Sequence, residues 1–239
     1  MLLRFETKRM IEGKDWLGML VGMIVMIIAA VINSVVVQPM YDGSANVQYD
    51  YYCGISQLMP FVFAPSIGNY FTKDCEDGAN YFYKNIGISK QEYYFTRFFV
   101  VIFFGVGIIA LGTSLYFYKE RTNFISGIGV LVVLLLQYIY TILLSALVAY
   151  FTKKRIVTIV TIIFGTMILS VINILPMPVI RGHLFMLDGH SVITENVNKY
   201  LVQNNTKYFF ESIFILSVWI LILLTVYYLG ILMEQKGRK

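Results

Sequence analysis

The chain has 239 residues, of which 58% are hydrophobic and only 14% are charged, and its mean hydropathy is +0.69. A soluble domain carries about a quarter charged residues, so this composition excludes an ordinary aqueous globule. Apolar runs of about 20 residues, the length that a membrane-spanning helix needs, recur along the chain. The sequence therefore predicts an all-α polytopic membrane protein with one transmembrane domain over residues 1–239.

Six apolar segments follow a charged N-terminal segment, residues 1–15, and each is long enough to be a candidate span. The second segment is the least regular, because Pro60, Pro65 and Gly68 interrupt it. The six predicted transmembrane helices are residues 16–37, 55–71, 93–118, 124–151, 156–180 and 209–233.

The distribution of lysine and arginine predicts the orientation, because cytoplasmic loops retain these residues. Fourteen of the 19 basic residues lie on the side of the two termini, whereas residues 38–54 contain none. We therefore expect both termini in the cytoplasm, with a cytoplasmic loop at 72–92 and an extracellular segment at 181–208. This placement accounts for the net charge of +5 without a nucleic-acid partner.

Several chemistries are not expected from this sequence. No G-x-x-x-x-G-K-[ST] motif occurs, so we expect no nucleotide site and no enzymatic activity in this chain. Intramembrane charges are typical of ion-driven transporters, but the predicted span centres offer only neutral amides such as Asn33, Gln137 and Asn173. These amides have two interpretations: hydrogen bonds between helices, or the lining of a passage.

The polar loop after the second span has a distinctive order of residues. An acidic cluster and a glycine come first, an aromatic run follows, and a serine-basic turn leads into the third span. Acidic residues near a helix N-terminus and bulky aromatic side chains are suited to docking into a partner's pocket. The alternative is a solvated loop whose aromatic residues lie among lipid head groups. The residues that we single out are Asp74, Glu76, Asp77, Gly78, Tyr81, Phe82, Tyr83, Ser89, Lys90, Tyr94 and Arg97.

This order resembles the ABC-2 type permease family, in which the loop between the second and third helices carries the same three elements. Residues 76–78 match the family's acidic-glycine element, and residues 88–90 match its turn, although Gly87 stands where proline is usual. Tyr94 and Arg97 match the tyrosine and the basic residue that follow. Six spans and cytoplasmic termini extend the resemblance over the whole chain.

The resemblance implies a coupling helix in this loop that sits in a groove of an ATP-binding subunit. It also implies two permease copies and two ATP-binding subunits, which would bind ATP and magnesium, so that this chain needs no cofactor. The expected fold is that of a type V exporter-like permease in the cytoplasmic membrane of a bacterium. The short loops are most similar to permeases of bacterial peptide exporters, including those for cytolytic peptides and for self-protection against lantibiotics.

The segment after the fifth span predicts a short re-entrant or interfacial element, and the resemblance to ABC-2 permeases implies that this element lies beside the export path. Two prolines break the helix near the outer boundary, and apolar residues continue beyond them, as in a re-entrant segment. The alternative is that the prolines simply end a long helix. The residues that we assign to the path or its outer gate are Asn33, Asn173, Pro176, Pro178, Phe185 and Met186.

The substrate stays open at this stage. The apolar spans favour a hydrophobic or amphipathic substrate, and the resemblance to peptide-exporter permeases implies an exported peptide, either a toxin or an antimicrobial. A permease for a lipid-linked glycan, a teichoic acid or a small drug is a second possibility, and a scaffold or sensor subunit that transports nothing is a third. Gly18 and Gly22 form a small-xxx-small pair that allows close helix approach, either inside one chain or between two copies.

Overall fold

The computed structural model describes residues 2–32, 46–76, 85, 87–174 and 192–236. Almost all of these residues are helical, and no β-strand occurs among them. The helices are α1 (Leu2–Glu12), α2 (Asp15–Ile32), α3 (Val47–Glu76), α4 (Lys90–Lys119), α5 (Phe124–Thr152), α6 (Arg155–Ile174), α7 (Val192–Gln203) and α8 (Thr206–Lys236).

Four helices, α2, α4, α5 and α8, are long and apolar enough to cross a membrane. They coincide with the predicted first, third, fourth and sixth spans, so the prediction of a helical membrane protein is confirmed. The second and fifth predicted spans lie within α3 and α6, and their membrane crossing stays a prediction. In α6 the described apolar part is the shorter stretch Arg155–Ile168.

Helix α3 is longer at both ends than the predicted span 55–71. At its start, the side chain of Asn46 accepts hydrogen bonds from the backbone N–H groups of Gln48 and Tyr49, at 3.1 and 3.2 Å, and so caps the helix. At its end, polar residues remain helical through Glu76. Its 30 residues correspond to about 45 Å of helix, which is more than a bilayer core requires.

Helices α3 and α5 form the centre of the helix assembly. The most apolar window of α5 is 61% buried, against 22 to 33% for the other three candidate spans. Gln137 of α5 donates a hydrogen bond to the hydroxyl of Tyr52 on α3, at 2.8 Å. Tyr138 donates to the carbonyl oxygen of Val101 on α4, at 3.1 Å. The interhelical interpretation of the Gln137 amide is thus confirmed.

The glycine pair of α2 packs against α3 of the same chain. A Cβ atom at Gly18 would overlap the hydroxyl of Ser66, and one at Gly22 would overlap the side chain of Val62. Close approach of these two helices therefore requires both glycines. Of the two uses that the sequence allows, the structure supports internal packing.

Helix α1 packs against α4 and α2 and turns directly into α2. The turn consists of Gly13 and Lys14, and Lys14 has the left-handed φ of 58°. The buried side chains of α1 are Leu2, Glu6 and Met10, which are spaced by four residues and therefore share one helix face. A carboxylate in the middle of a buried face requires a cationic partner.

We predict that Gly22→Leu destabilises the protein, because the leucine side chain would overlap Val62 and Phe63. Overpacking of this kind costs about 1–3 kcal/mol. The measurement is the thermal unfolding midpoint in detergent micelles. The control is Gly165→Leu in α6, where a Cβ would meet no atom within 4 Å in the described part of the chain. Equal midpoints for the two variants would contradict the proposed role of Gly22.

Candidate functional site

Two arginines and two carboxylates meet where α1, α3 and α4 come together. Glu6 and Arg97 are 0% exposed, Asp74 is 2% exposed, and Arg9 is partly buried. We call these four residues the ion cluster. Buried charges are tolerated only when they are paired and hydrogen-bonded, and the two positive charges here balance two negative charges.

Arg97 lies at the centre of the ion cluster. Its Nε is 3.5 Å from Oε2 of Glu6, and its Nη1 is 3.4 Å from Oδ2 of Asp74. Its Nη2 donates to the backbone carbonyl oxygen of Tyr70. The guanidinium carbon also lies 4.5 Å from the ring centroid of Tyr70 and 5.1 Å from that of Tyr93, within cation–π range.

Each of the two carboxylates also accepts a hydrogen bond from a tyrosine hydroxyl. The hydroxyl of Tyr70 donates to Oε2 of Glu6 at 2.9 Å, and the hydroxyl of Tyr93 donates to Oδ2 of Asp74 at 2.6 Å. Arg9 approaches Asp74 with both terminal nitrogens, and its Nη1 lies 2.5 Å from Oδ2. Such two-point arginine–carboxylate contacts are strong and geometrically specific.

The local sequence explains how three helices supply this site. Glu6 and Arg9 are three residues apart on α1, and each of the other two helices carries a tyrosine followed four residues later by a charge. Residues at these spacings share one helix face. The pairs are Glu6/Arg9 on α1, Tyr70/Asp74 on α3 and Tyr93/Arg97 on α4.

Asp74 lies beyond the predicted span 55–71, and its surroundings favour the ionised form of its carboxyl group. Burial by itself raises the pKa of this carboxyl group, but hydrogen bonds from Arg9 and the charge of Arg97 outweigh burial. The net result is a pKa below the ordinary value of 3.8. Asp74 is therefore a carboxylate at neutral pH and supplies the negative charge that the buried arginine needs.

The connection from α3 to α4 begins at a residue of the ion cluster and ends at a tyrosine that is hydrogen-bonded to it. Asp74 lies in the last turn of α3, and Tyr93 lies in the first turn of α4. Ser89 caps α4 by accepting a hydrogen bond from the backbone N–H of Glu92, at 3.1 Å. Gly87 has a φ of +80°, a conformation that glycine adopts without strain.

Three residues that the sequence assigns to docking are buried in the chain itself. Asp74 and Arg97 belong to the ion cluster, and the rings of Tyr94 and Tyr150 form a T-shaped pair with 5.6 Å between their centroids. Within this chain these side chains hold the two ends of the connection in place. Their part in coupling to an ATP-binding subunit stays a prediction.

Three other predicted docking residues lie nearer the surface. Glu76 is exposed, and its Oε1 accepts a hydrogen bond from the backbone N–H of Arg155 at the start of α6, at 2.6 Å. Ser89 is exposed and Lys90 is half-buried. Contact of these residues with a partner stays a prediction. The remaining residues of this set lie outside the described residues: Asp77, Gly78, Tyr81, Phe82 and Tyr83.

The predicted path residues fall largely outside the described part of the chain. Asn173 lies in the last turn of α6, but its side chain is not among those described. The others outside the described residues are Asn33, Pro176, Pro178, Phe185 and Met186. An outer gate therefore stays a prediction.

Sequence reasoning missed the part that α1 and the two tyrosines play in the site. The available signal was the position of Glu6 midway between the apolar residues Leu2 and Met10, on what becomes the buried face of α1. A carboxylate at such a position requires a cationic partner. Arg9 and Arg97 provide that partner, but the sequence does not say which helices meet.

The ion cluster is arranged to join helices, because every charge faces an opposite charge of the same chain. No group of three or more histidine, cysteine or acidic residues suited to a metal ion occurs among the described residues. Comparisons with protein-family models, curated proteins and solved structures return no match for this chain.

We predict that Asp74→Asn destabilises the protein by about 3–5 kcal/mol at pH 7, because it leaves two cations facing one carboxylate. Because the pKa of Asp74 is lowered in the folded state, its stabilising effect is complete above pH 3.8 and is lost as the pH falls through the folded-state pKa. The difference between wild type and variant should therefore shrink below about pH 4.

Thermal unfolding midpoints measured from pH 3 to pH 7 test this prediction. The matched control is Glu12→Gln, which removes an exposed carboxylate of α1 and should cost less than about 1 kcal/mol. A gap between wild type and Asp74→Asn that is small at pH 7, or that widens in acid, would contradict the role of the Asp74 carboxylate.

Proposed function

We propose that this chain is the membrane subunit of an ABC-2 type exporter, which moves a hydrophobic or amphipathic substrate out of a bacterial cell. In this proposal the chain has six membrane-spanning helices with both termini in the cytoplasm, and two copies assemble with two ATP-binding subunits. ATP and magnesium belong to those subunits. The observation that carries the proposal is the attachment of both ends of the α3–α4 connection to one buried ion cluster.

A connection held at both ends is suited to transmit force from a motor. A push on the connection would reach Asp74 on one side and Tyr93 and Arg97 on the other, and these residues contact each other. The contacts are short and charged, so they resist separation better than neutral contacts do. Because Glu6 and Arg9 complete the cluster, α1 would move with α3 and α4.

Further hydrogen bonds extend this linkage to α2 and α6. The amide nitrogen of Asn69 on α3 donates to Oδ1 of Asp15 on α2, at 2.6 Å. The amide oxygen of Asn69 accepts from Nη1 of Arg155 on α6, at 3.1 Å, and Glu76 bonds the backbone of the same arginine. The end of α3 that leads into the connection is therefore joined to four other helices, which supports a role in coupling.

The proposed substrate is an amphipathic peptide. The resemblance to small peptide-exporter permeases and the apolar character of the helices favour it. Lipid-linked glycans, teichoic acids and small drugs are the alternatives for an exporter, and a non-transporting scaffold or sensor is the alternative of another class. The two experiments below separate these functions.

We predict that the α3–α4 connection is required for binding of an ATP-binding subunit. The combined variant Tyr81→Ala, Tyr83→Ala and Lys90→Glu removes aromatic bulk and reverses one charge while the four residues of the ion cluster stay unchanged. It should insert normally but lose most of the copurifying ATP hydrolysis. The measurement is affinity purification of the tagged chain from its native membranes, with the partner detected by mass spectrometry and by ATP turnover.

The control is Arg121→Glu, which reverses an exposed charge at the α4–α5 turn, at the end of α4 opposite the ion cluster. Normal recovery of an ATPase with the triple variant would place docking elsewhere. Recovery of no ATP-binding protein with the wild-type chain would support the scaffold interpretation.

We predict that substrate stimulates ATP hydrolysis by the purified complex and that the segment around Phe185 and Met186 is needed for it. Replacing both residues with aspartate should abolish stimulation by an amphipathic cationic peptide while basal hydrolysis persists. The control is Val202→Asp on α7, which changes an exposed apolar residue outside the predicted path. Stimulation by a lipid-linked glycan or a small drug instead of the peptide would reassign the substrate. Unchanged stimulation in the double variant would place the path elsewhere.

A further inference from the structure

Helix α1 has a second surface, which faces away from the ion cluster. Arg4 and Lys8 are exposed there and are four residues apart, so they lie on one face. Lys8 pairs with Glu12 only across the surface, at 3.5 Å with both side chains more than 60% exposed. An exposed pair of this kind is weak, so Lys8 is accessible to an external anion. Arg4 is accessible because it is exposed.

A long apolar groove runs between α1 and the surface of α4. Its volume is about 970 Å³. Phe103 and Leu111 are 74% and 69% exposed, and a Cβ at Gly107 would meet no atom within 4 Å among the described residues, so the groove is open at this position. The residues of the groove that matter here are Leu3 and Thr7 on α1 and Phe99, Phe103, Gly107 and Leu111 on α4.

The cationic row of α1 borders the end of this groove. Leu3 and Thr7 of α1 line the groove. Arg4 and Lys8 each follow one of these residues in the chain. The two cations therefore lie about 100° further around the helix. Away from α1 the groove continues along α4, which is long and apolar enough to cross a membrane. The site thus combines positive charge at one end with an apolar groove that follows the candidate membrane-spanning helix.

We propose that this groove binds an anionic phospholipid from the leaflet that borders α1. An acyl chain lies along Phe103, Gly107 and Leu111, and the phosphate of the head group contacts Arg4 and Lys8. Bilayer lipid is the occupant that matches both features, because cations beside the membrane attract anionic head groups and the apolar walls exclude a free polar anion.

Lipid binding would act on the ion cluster through α1. One face of α1 contacts the proposed lipid, and the opposite face carries Glu6, whose carboxylate is 3.5 Å from Arg97. A bound lipid therefore holds α1 in the position in which its charges complete the cluster. The consequence is a higher unfolding midpoint in anionic lipid than in zwitterionic lipid, independent of any transport activity.

The test uses the purified full-length chain in neutral detergent, titrated with dioleoyl phosphatidylglycerol or dioleoyl phosphatidylcholine. Native mass spectrometry counts bound lipid, and thermal unfolding reports stabilisation. We expect tighter binding of phosphatidylglycerol, weakened about 25-fold by Arg4→Gln with Lys8→Gln, since each cation near a membrane contributes about five-fold. Gly107→Leu, which fills the groove, should weaken binding at least five-fold.

Two control variants keep the test specific. Lys119→Gln with Arg121→Gln removes two exposed cations at the opposite end of α4, and Gly165→Leu adds the same side chain at another open position. Both should bind phosphatidylglycerol like the wild type. Equal binding of the two lipids, stabilisation by inorganic phosphate alone, or full binding by either the Arg4/Lys8 variant or Gly107→Leu would overturn the proposal.

Discussion

The guanidinium group of Arg97 is fully buried, and this single charge dictates the arrangement of the residues around it. Arginine stays protonated in proteins, so its burial requires carboxylates and hydrogen-bond acceptors at short range. Glu6 and Asp74 supply the negative charges, and Arg9 restores neutrality. Because these residues come from three helices, the ion cluster can form only when α1, α3 and α4 meet in one arrangement.

The apolar helix packing and the ion cluster stabilise different parts of the fold. Close packing of α2 against α3 relies on small residues, with Gly18 and Gly22 facing Ser66 and Val62, and α3 joins α5 through the hydrogen bond between Tyr52 and Gln137. Apolar packing between helices tolerates small shifts. The charged contacts at the end of α3 are more directional, so they fix the end of α3 against the start of α4.

Helix α1 links two environments through its opposite faces. Its buried face contributes Glu6 to the ion cluster, and its exposed face carries Arg4 and Lys8 next to the apolar groove on α4. The proposed coupling to an ATP-binding subunit and the proposed lipid site therefore converge on the same helix. In this interpretation, a short amphipathic helix adjusts the stability of the site through which a motor would act.

The sequence by itself determined the class of the protein, because helix length and hydropathy are local properties that a bilayer tests directly. It located the four apolar helices and the polar connection between α3 and α4. Only the tertiary structure decided that Asp74 and Arg97 are buried partners of each other, and that Arg9, 65 positions from Asp74, completes their site. It likewise decided that Gly18 and Gly22 pack inside one chain. These outcomes depend on which helix faces meet, and that choice arises from packing and charge pairing between segments that are distant in sequence.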